Sequence, residues 1–239
     1  MVHMDSYRNP LTPGVRHRPS ELEVHTSLLE MARISCGRAI KGRNARPIMF
    51  LGLRGTGKTV LLNEIRINAR KEGLLVSHVK SPEHEGLARL LYPEMREVMH
   101  SLSGVESAKE IVSRGLTGLQ SFASTFKIDT RGAEIPAQPK PGLADSGDLE
   151  YDLLGLLAVI GKAAQAAGTG WVLFIDNVQY FSKEDLAALI AAIHRMSQER
   201  LPVLLIGAGL PHVARLTGEA KPYAERLFLY PSLDALGQA

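Results

Sequence analysis

The sequence contains a single cysteine, Cys36, among its 239 residues. One thiol cannot form an intramolecular disulfide or a cysteine metal cluster, which favours a reducing compartment. The chain also lacks a run of about 18 apolar residues that could span a bilayer, and its first residues contain no apolar signal-peptide core. We therefore expect a cytoplasmic protein without a membrane partner.

Further absences narrow the function classes. The sequence shows no internal repeat and no heptad pattern, which argues against solenoids and coiled coils. The segment "PEHEG" around His84 has one histidine and two acids without other ligands at suitable spacing, so a metal site there is not expected. No Asn-Lys-x-Asp segment, the pattern that reads guanine, occurs in the chain.

Positive charge is concentrated near the amino terminus, although the net charge is only +3. The basic residues of this region are Arg8, Arg16, Arg18, Arg33, Arg38, Lys41, Arg43 and Arg46. Such a region is either a solvated basic face or a surface that docks DNA or an acidic protein.

An apolar content of 45% over this length allows one sizeable core. We predict an extended lead over residues 1–19 and one domain over 20–239, with a mobile Pro/Gly-rich loop at 128–147. Five segments have the apolar character of strands: "RPIMFLGL", "LLVSHVK", "WVLFID", "LPVLLIGAG" and "RLFLYPSL". Helical patterns separate them, so the prediction is an α/β fold with a parallel sheet between helices. Ligands of such sheets bind at the carboxyl ends of the strands.

Helix boundaries are predicted from capping patterns. Ser20 with Glu23, and Ser182 with Asp185, have the spacing of capping boxes, and Gly73 is placed to end the helix that begins at Lys58. Apolar periodicity predicts two helices within 85–123 and another over 148–167.

The segment "GLRGTGKT" fits the pattern G-x-x-x-x-G-K-[ST] between a strand and a helix. Its glycines allow backbone N–H groups to converge on a polyphosphate, Lys58 reaches the β and γ phosphates, and Thr59 binds Mg²⁺. The predicted nucleotide-binding residues are Gly52, Arg54, Gly55, Thr56, Gly57, Lys58, Thr59 and Val60. The alternative is a glycine turn with an unrelated lysine.

Asp176 ends the strand "WVLFID" and is predicted to hold the metal together with Thr59. The alternative role is an aspartate that caps a turn. Asn177 follows, at the position where nucleotide hydrolases of this type usually carry a glutamate that activates water. An amide can orient water but cannot accept its proton, so we expect slow hydrolysis. Gln179 is either a second group that positions water or an exposed polar residue.

Two later residues are candidates for contacts with the terminal phosphate. The strand "LPVLLIGAG" ends at Gly207–Gly209 without a polar side chain, so the phosphate contact would come from a nearby residue such as His212. The alternative is that His212 is a surface or helix-start histidine without this role. Arg226 is either an arginine finger directed at a neighbouring subunit or a structural residue, for example paired with Glu225.

The segments "GLRGTGKTVLLNE", "ADSGDLEYDL", "WVLFIDNVQYFS", "LPVLLIGAGLP" and "EAKPYAERLF" together resemble bacterial AAA+-type P-loop ATP-binding proteins, near the Orc1/Cdc6-like and STAND-like ATPases. The resemblance covers nearly the whole chain after the lead. It implies a three-layer fold with a mostly five-stranded sheet, in which Asp176's strand lies beside or near that of the phosphate loop. ATP and Mg²⁺ are the implied cofactors, and Lys58, Asp176, Asn177 and Arg226 the implied catalytic residues.

The chain departs from these proteins in two ways. They usually read Asp-Glu where this chain has Asp176-Asn177, and they continue into a helical lid and a winged-helix region, which we expect to be absent because the chain ends nine residues after Tyr230. Our leading hypothesis is an ATP- and ADP-binding switch with slow Mg²⁺-dependent hydrolysis, compatible with a homo-oligomer. The alternative is a non-catalytic module, ordered by nucleotide, that binds DNA or protein through Arg16 and Arg18.

Overall fold

The computed structural model describes residues 26–43, 45–83, 85–130 and 142–233. Strands and helices largely alternate along the chain, as predicted. The elements are α1 (Thr26–Ile40), β1 (Ile48–Leu51), α2 (Lys58–Lys71), β2 (Leu75–Lys80), α3 (Leu87–Leu102), α4 (Lys109–Thr125), α5 (Leu149–Ala166), β3 (Trp171–Asp176), α6 (Lys183–Gln198), β4 (Val203–Gly209), α7 (Val213–Ala220) and α8 (Ala224–Leu227). Short 3₁₀ turns occur at Glu106–Ala108 and Val178–Tyr180.

The strands form one parallel sheet in the order β1-β4-β3-β2. All residues of the central strands β3 and β4 are buried, which explains their unbroken apolar sequences. Side chains such as Phe174 pack against α1 and α2, whereas Leu173 and Ile175 pack into the core beneath α3 to α7. Helices thus cover both faces of the sheet, and the predicted three-layer α/β fold is confirmed.

The fifth strand was predicted as a regular element, and this was wrong in detail. The segment runs parallel to β1 but forms only two isolated bridges, Ile48 with Leu229 and Leu51 with Ser232. Its hydrogen bonds have strand spacing: Met49 N donates to Leu229 O (2.8 Å) and Leu51 N to Pro231 O (2.9 Å). Pro231 has no N–H with which to complete the ladder between these two bridges. A proline therefore interrupts the strand, while the pairing along this edge of the sheet is kept.

The predicted helix ends are formed with one difference. Gly73 has a φ of 82°, as expected of a glycine that ends a helix. Ser182 Oγ accepts from Asp185 N (3.0 Å) at the start of α6, but the Asp185 carboxylate accepts from Leu87 N of α3 (3.3 Å). This carboxylate therefore joins two helices. The predicted capping pair of Ser20 and Glu23 lies outside the described residues.

A buried carboxylate organises the segment that precedes α5. The Asp152 side chain is 1% exposed and accepts hydrogen bonds from Ser146 N (3.2 Å), Ser146 Oγ (2.7 Å) and Gly147 N (3.1 Å). Residues 142–147 of the predicted mobile loop are therefore packed against α5. Residues 131–141 of that loop lie outside the described part of the chain.

Replacing Asp152 with alanine is expected to lower the free energy of unfolding by about 2–4 kcal/mol, because three donors lose their acceptor at once. Urea unfolding of wild type and variant measures the change. Asp145→Ala is the matched control, since this carboxylate lies on the same segment, is exposed, and accepts only from Gly142 N in the described structure. Equal losses for the two variants would contradict the role given to Asp152.

The structure bears on two points raised by the composition, the single cysteine and the lack of a long apolar run. Burial raises the pKa of the Cys36 thiol to about 12, so this residue is neither a nucleophile nor a thiolate ligand at neutral pH. None of the helices in the described ranges is long and apolar enough to cross a membrane.

Candidate functional site

The phosphate loop connects β1 to α2 at the carboxyl edge of the sheet. Gly55 and Gly57 both have a φ of 84°, a conformation that other residues rarely adopt. At Gly52 a Cβ atom would lie 2.6 Å from Thr56 Oγ1 and 2.7 Å from Leu233 O. Glycine is therefore required at these three positions by backbone conformation or by close packing.

Lys58 begins α2 and folds back over the loop. Its Nζ donates to Gly52 O (2.8 Å) and Leu53 O (2.5 Å). Partial burial lowers the pKa of Lys58, and the charge of Asp176 opposes that effect. A partly desolvated ammonium group gains from an anionic partner, and phosphate oxygens are stronger acceptors than backbone carbonyls. Lys58 is thus placed to exchange these carbonyls for phosphate.

Thr59 and Asp176 meet as predicted, although they are 117 positions apart. Thr59 Oγ1 donates to Asp176 Oδ2 (2.6 Å), and the other carboxylate oxygen accepts from Asn177 N (2.9 Å). Asp176 is 2% exposed. A hydroxyl and a carboxylate side by side are the kind of oxygen ligands that Mg²⁺ prefers, and this ion usually keeps several waters beside one or two protein ligands. The pair therefore fits a Mg²⁺ ion.

Asn177 has a left-handed backbone conformation, with φ 60° and ψ 42°. Asparagine tolerates this region far better than glutamate does. The 3₁₀ turn Val178–Tyr180 begins immediately afterwards, and Tyr180 N donates to Asn177 O (3.1 Å). The asparagine thus has a conformational reason to be here, in addition to the chemical consequence read from the sequence.

The turn after β3 is tied to two neighbours. Gln179 Oε1 accepts from Leu210 N (3.3 Å) just beyond β4, and Arg54 of the phosphate loop donates through Nη2 to Tyr180 OH (3.2 Å). Gly52 N donates to Gly209 O (3.1 Å), so the phosphate loop is also bonded directly to the end of β4. Gln179 is half-buried, so the alternative in which it is an exposed polar residue does not hold.

The side chains of the other predicted residues take no part in the hydrogen bonds described above. Val60 packs into the core formed with α1 and α2. His212 is exposed at the start of α7. Arg226 is exposed in α8, where its backbone carbonyl accepts from Arg46 Nη2 (3.1 Å). In the described part of the chain Arg226 forms no ion pair with Glu225.

Sequence reasoning missed three groups that shape the site: Tyr180, Leu210 and Arg46. The contacts of Tyr180 and Leu210 span 126 and 31 positions. Arg46 reaches the carbonyls of residues 226–228, about 180 positions away. No local pattern marks such contacts, because they depend on how the sheet brings strand ends together.

One solved structure with a TM-score above 0.5 supports the fold. Cdc6p from Pyrobaculum aerophilum is similar with a TM-score of 0.52 and 13% identity, covering 90% of this chain and 47% of that one. The Orc1 protein of Aeropyrum pernix, solved in complex with DNA, gives a TM-score of 0.45 and 15% identity, covering 95% of this chain and 47% of that one. The chain thus spans about half the length of these two proteins. A search of curated proteins found no match.

The family model of the AAA ATPase domain matches residues 30–206. This range includes β1 to most of β4, the phosphate loop and Asp176. The chain therefore belongs to the AAA ATPase domain family.

Proposed function

We propose that the chain binds ATP with Mg²⁺ in the phosphate loop, hydrolyses it slowly, and acts as a nucleotide-dependent switch. The observation that carries this proposal is the 2.6 Å contact between Thr59 Oγ1 and Asp176 Oδ2. It supports a metal position beside the loop, on the side of the sheet where β3 ends.

Each group of the site has a role in this proposal. The N–H groups of the loop and of the first turn of α2 bind the phosphates, and Lys58 neutralises charge on the β and γ groups. Thr59 and Asp176 hold Mg²⁺, which neutralises charge that develops during phosphoryl transfer. The adenine specificity follows the family and is part of the proposal.

Slow hydrolysis follows from the residue after Asp176. General-base catalysis contributes typically 10²–10⁴-fold, and the Asn177 amide has no basic group to supply it. Binding does not depend on this residue in the same way, because the phosphate contacts come from the loop and from Lys58. A long-lived triphosphate state is the property that a switch requires.

Mg²⁺ and ATP are expected to raise the melting temperature of the wild type by about 5–10 °C at 100 times Kd, which corresponds to about 2.7 kcal/mol. Lys58→Ala should lose most of this gain, since the charge on the phosphates is no longer compensated. Thermal unfolding with and without nucleotide measures it. Lys71→Ala, an exposed lysine at the other end of α2, is the control and should keep the gain. Absence of stabilisation in the wild type would contradict the proposal.

The alternative module that binds DNA or protein rests on Arg16 and Arg18. Both lie outside the described residues, so this function stays a prediction from the sequence. The expected absence of a helical lid and a winged-helix region likewise stays a prediction.

A further inference from the structure

We propose that Gln179 contacts the terminal phosphate of the bound triphosphate and so lets the site distinguish ATP from ADP. This inference rests on the proposed function and adds to it a specificity-determining residue. We infer that the side-chain amide of Gln179 occupies the space at the end of β4 where a polar side chain of that strand would otherwise lie.

The end of β4 has no room for a side chain of its own. A Cβ atom at Gly209 would lie 2.6 Å from Val213 Cγ2 and 2.9 Å from Gln179 Oε1. Contacts this short do not occur for real Cβ atoms, so only glycine fits unless both Val213 and the amide move. The amide of Gln179 therefore fills the position that a longer residue 209 would take.

The hydrogen bond to Leu210 fixes which end of this amide is available. Oε1 accepts from Leu210 N (3.3 Å), and the Nε2 group, which can only donate, is at the other corner of the planar amide. Within the described ranges Nε2 has no hydrogen-bond acceptor. The Nε2 group is therefore free to donate to an acceptor that a ligand supplies.

The location selects the terminal phosphate as that acceptor. Gly52 N bonds to Gly209 O (3.1 Å), so the end of β4 adjoins the phosphate loop. Asp176, on the same connection as Gln179, is bonded to Thr59 in the first turn of α2 (2.6 Å). The amide thus lies near the ends of β1, β3 and β4, on the metal side of the loop. Mg²⁺ in phosphate-loop sites bridges the β and γ phosphates, and of these two groups only the γ phosphate is absent from ADP.

Gln179→Glu tests the contact while keeping the local structure. Glutamate retains an oxygen that can accept from Leu210 N, but it replaces the donor with an anionic oxygen that repels phosphate. Kd values for Mg²⁺ with ADP, and with the non-hydrolysable β,γ-imido analogue of ATP, are measured by calorimetric titration for wild type and variant. We expect the analogue to bind at least about tenfold more weakly, and ADP to change by less than about threefold.

The outcomes separate this inference from the proposed function. Equal losses for both nucleotides, or no loss for either, would overturn the role of Gln179 and leave ATP binding intact. A wild type that binds neither nucleotide would overturn both. A change only in hydrolysis rate, with both affinities unchanged, would assign Gln179 to positioning water and would also reject the contact.

Gly209→Ala provides a second test that leaves Gln179 in the sequence. The added Cβ displaces Val213 as well as the amide, and the displaced amide should cause the same selective loss of the triphosphate analogue. Gly218→Ala is the matched control, because a Cβ there meets only ordinary contacts with Glu225 (3.6 Å and beyond). Unfolding curves of both variants separate selective loss from general destabilisation, which would weaken ADP binding as well.

Discussion

Replacing Asn177 with glutamate is expected to raise the single-turnover rate of ATP hydrolysis by about 10²-fold or more. The carboxylate supplies the base that the asparagine amide lacks, next to Asp176 and the predicted metal. Rapid mixing of excess protein with labelled ATP and Mg²⁺ measures the rate. Lys58→Ala sets the background, since it removes the phosphate contact.

The backbone at this position sets the choice of control. Asn177 has a φ of 60°, and a residue other than asparagine or glycine loses roughly 1–2 kcal/mol there. Asn177→Gln carries the same strain and a similar length as the glutamate variant but no base, so it should hydrolyse no faster than wild type. A glutamine variant that gains as much as the glutamate variant would show that the gain is not general-base catalysis.

In the Asn177→Glu background, Arg226→Ala is expected to lower the turnover of assembled protein by about 10³-fold or more, the contribution of an arginine finger. Arg226 is exposed in α8, and its side chain forms no ion pair with any residue that the structure describes, so it can reach a neighbouring copy. Turnover as a function of protein concentration measures the effect. The loss should be confined to concentrations at which the Asn177→Glu parent turns over cooperatively.

A mixing experiment shows whether the arginine acts between chains. Lys58→Ala supplies an intact Arg226, and Arg226→Ala supplies an intact phosphate loop, so an equimolar mixture should recover part of the activity. Arg215→Ala is the control, because this exposed arginine pairs with Glu219 on α7 (2.6 Å) and should not affect turnover. A mixture without recovery, with Arg226→Ala as active as the control, would contradict the assignment.

The sequence predicted most of the fold because its strongest patterns are local. The unbroken apolar runs of β3 and β4 require burial on both faces, and the glycine motif between β1 and α2 has few other structural uses. The fifth strand shows where such a pattern misleads. Its apolar residues pair with β1, but Pro231 lacks the N–H that a continuous ladder needs, and apolar content alone does not weigh a missing donor.

The site was predictable where it is contiguous in sequence or follows from the strand ends. Lys58 and Thr59 come from one motif, and the meeting of Thr59 with Asp176 follows from parallel strands that end at one edge. The bond from Leu210 N to Gln179 and that from Arg54 to Tyr180 depend on side-chain packing across that edge. The left-handed conformation of Asn177 could not be predicted from the sequence either, although asparagine is a residue that allows it.

The most direct test of the central claim identifies the nucleotide that the wild-type protein retains. Protein is loaded with ATP and Mg²⁺, freed from excess nucleotide, and denatured at intervals, and the released nucleotide is separated by chromatography. The account predicts that ATP still predominates after many minutes and that the Asn177→Glu variant releases mainly ADP at the same times. Rapid and complete conversion to ADP by the wild type would contradict it, because another group would then supply the catalysis that Asn177 lacks.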